Sequence, residues 1–527
     1  MIKLRIAAAA FVGIAALASC KKSGNPSPGG GNPPPTTPTT GTRLQLSLDS
    51  LYLYAKETYL WYDAIPTYES FNPRQYAGSD DFNSLTEELY KITQLKNDPA
   101  TSKPFEYYTP APGRSKFSYV EKGNLARGIK ASVDLEGDGN DLGLILAVVT
   151  FGSDPTTYLY VRNVEKGSPA DKAGITRGCL ITKVNDGPPP GSQSAATTLM
   201  NSTTAKLTFT KPKTSTSVTV TINKAAYKND PVVTWKTFAP VNGNVTGYLV
   251  LGHFSRQTVA KPSLDKAFAE FAAKGANSVV VDLRYNGGGY VATAEYLTNL
   301  LAPSGMQTKV MYKQVYNELV RTSKAPILKS IPYLDANYQQ VYQGSRALTY
   351  ADLDFTENGN TYFFEKAGPL TTAKKIVFIV SGATASASEL VINSYKAWPA
   401  NVTVRTVGAK TYGKPVGFFG IGIDKFTVYM AQFSSKNALG EGDYYSGMTP
   451  DIAAQDYIPM DFGDPEEKSL KAALDYIYYG TTTGGRAAAA TVMINGRSVN
   501  ANEIRSQAAG EEKFNGMVED RRKIRVQ

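Results

Sequence analysis

The sequence has few of the residues that metal sites and covalent cross-links require. Among its 527 residues there is one histidine, His253, and there are two cysteines, Cys20 and Cys179. One histidine and so few cysteines do not make up the ligand set of a zinc site. If Cys20 belongs to a leader segment, Cys179 is left alone and no disulfide forms within the chain. We therefore expect packed cores to provide the stability, and we expect no metal and no cofactor.

Charge is also sparse. Charged residues make up 19% of the chain, and its formal net charge is +10. The longest cluster of basic residues is the "DRRKIR" near the end. Such a diluted charge indicates a solvated surface, so nucleic acid is not an expected partner. A hydrophobic content of 42% is typical of a globular protein, and the length predicts two or three domains.

The one long apolar run lies at the N-terminus. Lys3 and Arg5 precede it, and it ends in "LASC", which resembles a bacterial lipobox with Cys20 as the lipid-modified residue. The alternative is an ordinary cleaved signal peptide with an accidental cysteine. We predict a lipoprotein signal at residues 1–20 and an extended Pro/Gly/Thr-rich linker at 21–43. The protein would then be lipid-anchored in a bacterial cell envelope, and Lys21 favours the outer membrane.

The rest of the chain divides by pattern into four parts. Residues 44–125 have helical periodicity and predict a helical N-terminal module. Residues 126–228 contain short β-rich runs around one helical turn and predict a small β module. Residues 229–480 alternate strands and helices, as in a layered α/β domain, and 481–527 form a tail rich in Gly, Ala and charge. The expected fold class is multidomain α+β.

The segment "VSGATASASELVINSYK" carries the first candidate catalytic residue. An apolar strand, a turn and a helix follow one another, which predicts that Ser386 lies at a strand-to-helix corner. The N–H groups of such a helix start can stabilise an oxyanion. The alternative is structural, because Ser386 and Glu389 match the S-x-x-E pattern of a capping box.

A nucleophilic serine needs a base, and histidine is a poor candidate here. An α/β-hydrolase requires a histidine after the serine, but His253 precedes Ser386. Chain order would allow a His253, Asp282 and Ser386 triad of the chymotrypsin type, but the alternating pattern does not suit paired β-barrels. Lysine remains, because burial lowers the pKa of an ammonium group. Lys414, followed by apolar residues, is the candidate, Lys410 is its competitor, and a surface turn is the structural alternative.

Six segments occur in an order that resembles the carboxyl-terminal processing, or tail-specific, proteases of serine peptidase family 41. The resemblance covers residues 119–479 and rests on the following segments: "VEKGSPADKAGITRGCLITKVNDG", "VTGYLVLGHFS", "VVVDLRYNGGG", "GATASASEL", "GAKTYGK" and "MTPDI". It implies a PDZ-like domain at 126–228 and a crotonase-like α/β catalytic domain at 229–480. It also implies a serine endopeptidase that acts through a Ser/Lys dyad.

The resemblance assigns roles to individual residues. Ser386 would be the nucleophile and Lys414 its general base. The oxyanion would be bound by the N–H of Ala387 and that of Gly288 or Gly289. The PDZ-like domain would bind a C-terminal or unfolded polypeptide segment along an exposed strand edge. The residues nearest the peptide carboxylate would be Leu142, Gly143 and Leu144.

One position departs from the family pattern. Many relatives have a glutamine four residues after the lysine, and this chain has Phe418. The departure motivates an alternative hypothesis, a catalytically weak or silent lipoprotein that binds peptides as a scaffold. A further alternative is a hydrolase of similar fold that acts on esters.

Overall fold

The computed structural model describes residues 38–123, 137–152, 154–335, 339–481, 491–494, 497–500, 504–509 and 516–518. The predicted signal segment with Cys20, and the linker up to residue 37, lie outside the described residues. Met1–Thr39 and Thr40–Gln527 are separate compact units, and every element below belongs to the second. Within the described ranges, no helix has both the length and the apolar character needed to cross a membrane.

Helices dominate the first part of the chain, as its periodicity predicts. The elements are α1 (Arg43–Thr58), α2 (Tyr68–Phe71), α3 (Asp81–Thr93) and β1 (Tyr119–Lys122). Thr42 begins α1 with a capping box that it forms with Gln45. The buried faces of α1 and α3 share one core with apolar residues of the segment 416–433. This helical region therefore packs directly against a later part of the chain.

The second part is mostly β structure. Its elements are β2 (Asp138–Asp141), β3 (Leu144–Phe151), β4 (Tyr158–Val164), α4 (Pro169–Lys172), β5 (Leu180–Val184), α5 (Gln193–Met200), β6 (Thr204–Thr210), β7 (Ser217–Asn223) and β8 (Ala225–Lys228). Strands β3 to β7 pair antiparallel in chain order. Helix α5 packs on this sheet, since Ala196 and Leu199 belong to the same core as Leu146 and Leu207.

Strands and helices alternate through much of the third part. Its elements are β9 (Val232–Val241), β10 (Asn244–Leu251), α6 (Gln257–Ala273), β11 (Ser278–Asp282), β12 (Gly288–Tyr290), α7 (Val291–Leu301), β13 (Val310–Tyr316), α8 (Glu318–Arg321), β14 (Tyr342–Gln343), β15 (Arg346–Ala347), β16 (Thr361–Phe363), β17 (Lys375–Val380), α9 (Ala387–Lys396), β18 (Thr403–Gly408), β19 (Val416–Gly417), β20 (Ile421–Ile423), β21 (Phe426–Tyr429), β22 (Phe433–Lys436), β23 (Ile452–Ala453) and α10 (Lys468–Tyr479).

A six-stranded sheet of order β23-β18-β17-β11-β10-β9 is the centre of this part. All neighbours are parallel except β9, which is antiparallel to β10. Successive side chains on the strands point to opposite faces. One face packs against α6, α7 and α9, and the other packs against α10. The predicted layered α/β arrangement is therefore present.

The described residues of the C-terminal tail include four short strands: β24 (Thr491–Ile494), β25 (Arg497–Asn500), β26 (Ile504–Ala508) and β27 (Gly516–Val518). Strand β26 pairs antiparallel with β3, and β27 pairs parallel with β12. The sequence predicts an exposed peptide-binding edge on the β module, and this prediction is wrong for β3. The chain's own tail supplies the missing backbone partner at that edge.

Candidate functional site

The predicted site residues follow three neighbouring strands of the central sheet. The loop to Gly288 and Gly289 follows β11, the turn to Ser386 follows β17, and the loop to Lys414 follows β18. Because β11, β17 and β18 are parallel neighbours, their carboxyl ends lie at one edge of the sheet. Ligand sites of open α/β sheets gather at such edges.

Ser386 occupies a strained strand-to-helix corner. It is the N-cap of α9 with φ 58° and ψ −109°, a conformation that costs a non-glycine residue about 1–3 kcal/mol. Its side chain is fully buried. Within the part of the chain that the structure describes, its Oγ has no hydrogen-bond partner. Ser386 and Glu389 have the capping-box arrangement that the sequence predicts, yet no hydrogen bond from the described residues holds Oγ, which leaves the hydroxyl available for reaction.

The carboxylate of Glu389 forms hydrogen bonds with both the serine corner and the lysine loop. Its Oε2 accepts hydrogen bonds from the backbone N–H of Ser386 (2.9 Å) and from that of Lys414 (2.8 Å). Its Oε1 accepts from Thr411 Oγ1 (2.5 Å) and from the N–H of Gly413 (2.8 Å). Burial raises the pKa of this carboxyl group, while the four hydrogen bonds oppose the rise. The hydrogen bond from the Ser386 N–H to Glu389 is one arm of the predicted capping box, and the same carboxylate also anchors the candidate base.

Lys414 is buried, with 1% of its surface exposed, whereas Lys410 is exposed. Burial lowers the pKa of Lys414 to about 7, and Lys116 contributes in the same direction, while Glu106 and Glu389 act against it. A lysine with that pKa is neutral in about half of the molecules at neutral pH and can accept a proton. The structure therefore distinguishes the two candidate lysines, since only Lys414 lies in a desolvated environment.

The helical N-terminal region supplies part of the lysine's surroundings. Lys414 Nζ donates to the carbonyl of Phe117 (3.2 Å). The backbone N–H of Phe117 in turn donates to the buried carboxylate of Glu106 (3.1 Å). Burial raises the pKa of Glu106, and hydrogen bonds from Ser118 and Tyr59 counteract this effect. The position of the candidate base thus depends on residues about 300 positions earlier in the chain.

Phe418 is part of the same pocket. Its ring centroid lies 4.7 Å from Lys414 Nζ, a distance at which the ring stabilises the protonated amine. Tyr119 and Tyr429 pack on the ring with centroid distances of 5.7 and 5.2 Å. The residue at the family's glutamine position therefore still contacts the lysine, through an aromatic face in place of an amide.

The glycine loop approaches the serine corner closely. Gly288 has φ 112° and Gly289 has φ 135°, which a side chain would strain. A Cβ atom at Gly288 would lie 3.1 Å from both the Ala387 nitrogen and Ser386 Cβ. The Gly288 N–H donates to Asn286 Oδ1 (2.9 Å). Because the Gly288 N–H is already engaged, the N–H of Gly289 is the better candidate to bind an oxyanion together with that of Ala387.

The residues predicted to bind a peptide carboxylate lie at the start of β3. Leu142, Gly143 and Leu144 are buried. Their backbone is already in use, since the Gly143 N–H donates to Asp141 Oδ1 (2.6 Å) and the Leu142 carbonyl accepts from the Ala170 N–H (3.0 Å). Their role in binding a carboxylate stays a prediction.

The structure gives the triad alternative no support. Asp282 is fully buried, and its carboxylate accepts hydrogen bonds from Arg284 and from the hydroxyl of Tyr248 (2.8 Å). It therefore belongs to an ion-pair network in which Arg284 is its charged partner. Among the residues that the structure covers, no group of three or more His, Cys, Asp or Glu side chains is arranged to hold a metal ion.

Sequence reasoning missed two contributions. Glu106 and Phe117 lie in a segment with no recognisable pattern, and their relevance depends on a contact between regions far apart in the chain. Glu389 was predicted only as a capping residue. Its spacing from Ser386 was the available signal, but the second use of its carboxylate depends on where the lysine loop folds.

Comparisons with known proteins show similarity to one family of peptidases. Residues 245–454 match the sequence model of peptidase family S41. The chain is 27% identical over 252 residues to a carboxyl-terminal-processing protease of Picosynechococcus sp., which covers 47% of this chain and 49% of that protein. It is 30% identical over 167 residues to carboxy-terminal processing protease CtpA of Bacillus subtilis (strain 168), which covers 30% of this chain and 34% of that protein. The match thus spans about half of the first relative and a third of the second.

The fold is also similar to that of a solved structure. The crystal structure of a protein described as an S41 protease from Bacteroides fragilis NCTC 9343 superposes with a TM-score of 0.54 at 21% identity, covering 82% of this chain and 97% of that one. The similarity to this structure concerns the fold. In sequence, residues 245–454 resemble peptidase family S41, and the chain is similar over part of its length to carboxyl-terminal processing proteases.

Proposed function

We propose that this protein is a serine endopeptidase that cleaves polypeptides with Ser386 and Lys414 as its catalytic dyad. The observation that carries the proposal is the shared carboxylate oxygen of Glu389. It holds the backbone of the strained serine and that of a buried lysine whose pKa is about 7. The similarity of residues 245–454 to peptidase family S41 supports the peptidase activity, and the proposed substrate class is a peptide chain.

In the proposed mechanism, neutral Lys414 removes the hydroxyl proton of Ser386 while Oγ attacks the substrate carbonyl. The N–H groups of Ala387 and Gly289 stabilise the oxyanion. Lys414 then gives the proton to the leaving amine, and a water molecule hydrolyses the acyl-enzyme by the reverse sequence. A lysine near its pKa at neutral pH suits both steps, because it must accept and then release a proton.

The setting of this activity is also part of the proposal. The lipobox-like sequence at Cys20 would anchor the chain to a bacterial envelope membrane, with the outer membrane favoured by Lys21. The β module of strands β3 to β7 would act as a PDZ-like domain that delivers extended segments to a crotonase-like catalytic domain. The edge of β3 would be open to such a segment only when β26 is displaced from it. Its substrates would be C-terminal or unfolded segments of envelope proteins.

The test is cleavage of a denatured model protein by the chain lacking residues 1–37. Ser386→Ala and Lys414→Ala are expected to abolish cleavage. Two matched controls, Ser394→Ala on the same helix and Lys410→Ala in the same loop, are expected to retain it. An active Ser386→Ala variant would exclude the proposed nucleophile.

Phe418 favours one second candidate, a weak or silent peptide-binding scaffold. In that case the unsubstituted chain binds denatured protein without cleaving it, and a serine-reactive phosphonate does not label Ser386. Labelling of Ser386 together with cleavage would reject the scaffold hypothesis.

A further inference from the structure

The chain's own tail occupies the groove between β3 and α5. Strand β26 pairs with β3 from Ile504 opposite Phe151 to Ala508 opposite Ala147. The ladder continues with the N–H of Ala509, which donates to the Leu146 carbonyl (2.9 Å). On the other side of the groove, Gln193 Nε2 of α5 donates to the Ala508 carbonyl (2.5 Å). The tail therefore binds as an added strand, which is the mode expected for an extended peptide ligand.

The same tail also reaches the candidate catalytic site. Strand β27 pairs parallel with β12, with Gly516 opposite Gly288. The Gly516 N–H donates to the Gly287 carbonyl (3.1 Å). In a parallel ladder of this register, the following hydrogen bond joins the Gly289 N–H to the Gly516 carbonyl. The group that we assign to the oxyanion hole thus faces a carbonyl of the tail.

The position of that carbonyl relative to the nucleophile is the decisive observation. A Cβ atom at Gly288 would lie 2.4 Å from the Gly516 oxygen. The same point is 3.1 Å from the Ala387 nitrogen and 3.1 Å from Ser386 Cβ. The Gly516 oxygen, the Ala387 nitrogen and Ser386 Cβ therefore border the same small space beside Gly288.

We propose that the C-terminal tail is an intramolecular substrate and that the Gly516–Met517 peptide bond is a self-processing site. This inference depends on the proposed Ser/Lys peptidase function. Ser386 Oγ bonds to the Gly516 carbonyl carbon, the bond to the Met517 nitrogen breaks, and the serine proton passes through Lys414 to the new amine. Water then releases the Gly516 carboxylate from Ser386. The products are a chain ending at Gly516 and the peptide "MVEDRRKIRVQ", residues 517–527.

A tail bound in this way also blocks the cleft. A polypeptide substrate in trans would need the same edge of β12, so the uncut chain is less active than the processed one. The β26 contact holds the tail nearby, which raises its effective concentration above that of a free polypeptide.

The experiment measures the intact mass of the full-length chain, purified in detergent, over time and at several protein concentrations. The unsubstituted chain is expected to lose residues 517–527 at a rate independent of concentration, and Ser386→Ala is expected to remain whole. A rate that rises with concentration would contradict an intramolecular reaction, and cleavage at another bond would contradict the assigned site.

A second variant tests the register. Gly516→Pro removes the N–H that donates to Gly287, and we expect it to slow self-processing about tenfold. Self-processing at an unchanged rate would overturn the β27 assignment. A chain that stays whole but cleaves a denatured protein overturns this inference alone. A chain that does neither overturns the proposed function and this inference with it.

Discussion

Two buried clusters of charged residues lie near the same sheet edge, and they have opposite electrostatic character. The paired cluster consists of Arg177, Asp282, Arg284, Asp456 and Glu467. Arg284 contacts Asp282 at 2.7 Å and Glu467 at 2.9 Å, and Arg177 contacts Asp456 at 2.6 Å. Burial alone would raise the pKa of Glu467, but Arg284 outweighs it and the pKa ends below its usual value.

The lysine cluster consists of Glu106, Lys116, Glu389 and Lys414. In this cluster, burial affects the pKa values more than the neighbouring charges and hydrogen bonds do. It lowers the pKa of Lys414 to about 7 and that of Lys116 to about 8, and it raises those of Glu106 and Glu389. The paired cluster stabilises charged forms of its members, whereas the lysine cluster destabilises them. The comparison indicates that the first holds the structure together and the second serves the chemistry.

The largest expected effect is on activity and comes from the lysine cluster. Lys414→Met removes the base and is expected to reduce kcat/KM for a denatured protein by about 10³-fold. Its melting temperature is not expected to fall at pH 7. The folded pKa of about 7 lies below the unfolded value of about 10.5, so the buried lysine destabilises the fold most below pH 7, and this penalty diminishes as the pH rises toward 10.5. A loss of stability with retained activity would reverse the assignment of the two clusters.

The next effect is on stability and comes from the paired cluster. Arg284→Met leaves buried carboxylates without their partner, and we expect the free energy of unfolding to fall by about 3–5 kcal/mol in urea denaturation. Arg43→Met is the matched control, because Arg43 is 69% exposed in its contact with Asp424. The control should lose much less stability than Arg284→Met, because solvent screens an exposed ion pair. Equal losses in the two variants would show that the buried cluster is not structural.

Glu389→Gln is expected to have an intermediate effect. The amide keeps the shape but loses acceptor sites for the four donors, so we expect kcat to fall about tenfold to a hundredfold. Activity should rise with pH as Lys414 loses its proton. Because Glu389 favours protonated Lys414, its replacement should lower the pKa of Lys414 and move this rising limb of the pH–rate profile to lower pH. A decrease in rate with an unmoved limb would indicate a purely structural role for this residue.

Phe418→Leu is expected to have the smallest effect. The ring stabilises the protonated lysine by about 0.5–2 kcal/mol, so its loss should move the rising limb of the pH–rate profile to lower pH by about 0.4–1.5 units. The measurement is kcat/KM from pH 5 to 9. A limb that moves to higher pH would contradict the contact between ring and ammonium.

Local pattern predicted much of this architecture. The strand, turn and helix around Ser386 and the βα alternation follow from hydrophobic periodicity, and the structure contains both. The tail was beyond such reasoning, because β26 and β27 are short and gain their partners from residues far away in the chain. The same applies to Glu106, whose carboxylate acts through Phe117. A choice between Gly288 and Gly289 required knowing that Asn286 engages the first N–H.

The central claim is that buried, neutral Lys414 activates Ser386. The most direct test is the rate at which a serine-reactive phosphonate labels Ser386 between pH 5 and 9, in the unsubstituted chain and in Lys414→Met and Lys410→Met. We predict labelling at Ser386 that rises through about pH 7, disappears in Lys414→Met and persists in Lys410→Met. Labelling that is unchanged in Lys414→Met, or that depends on Lys410, would contradict the account.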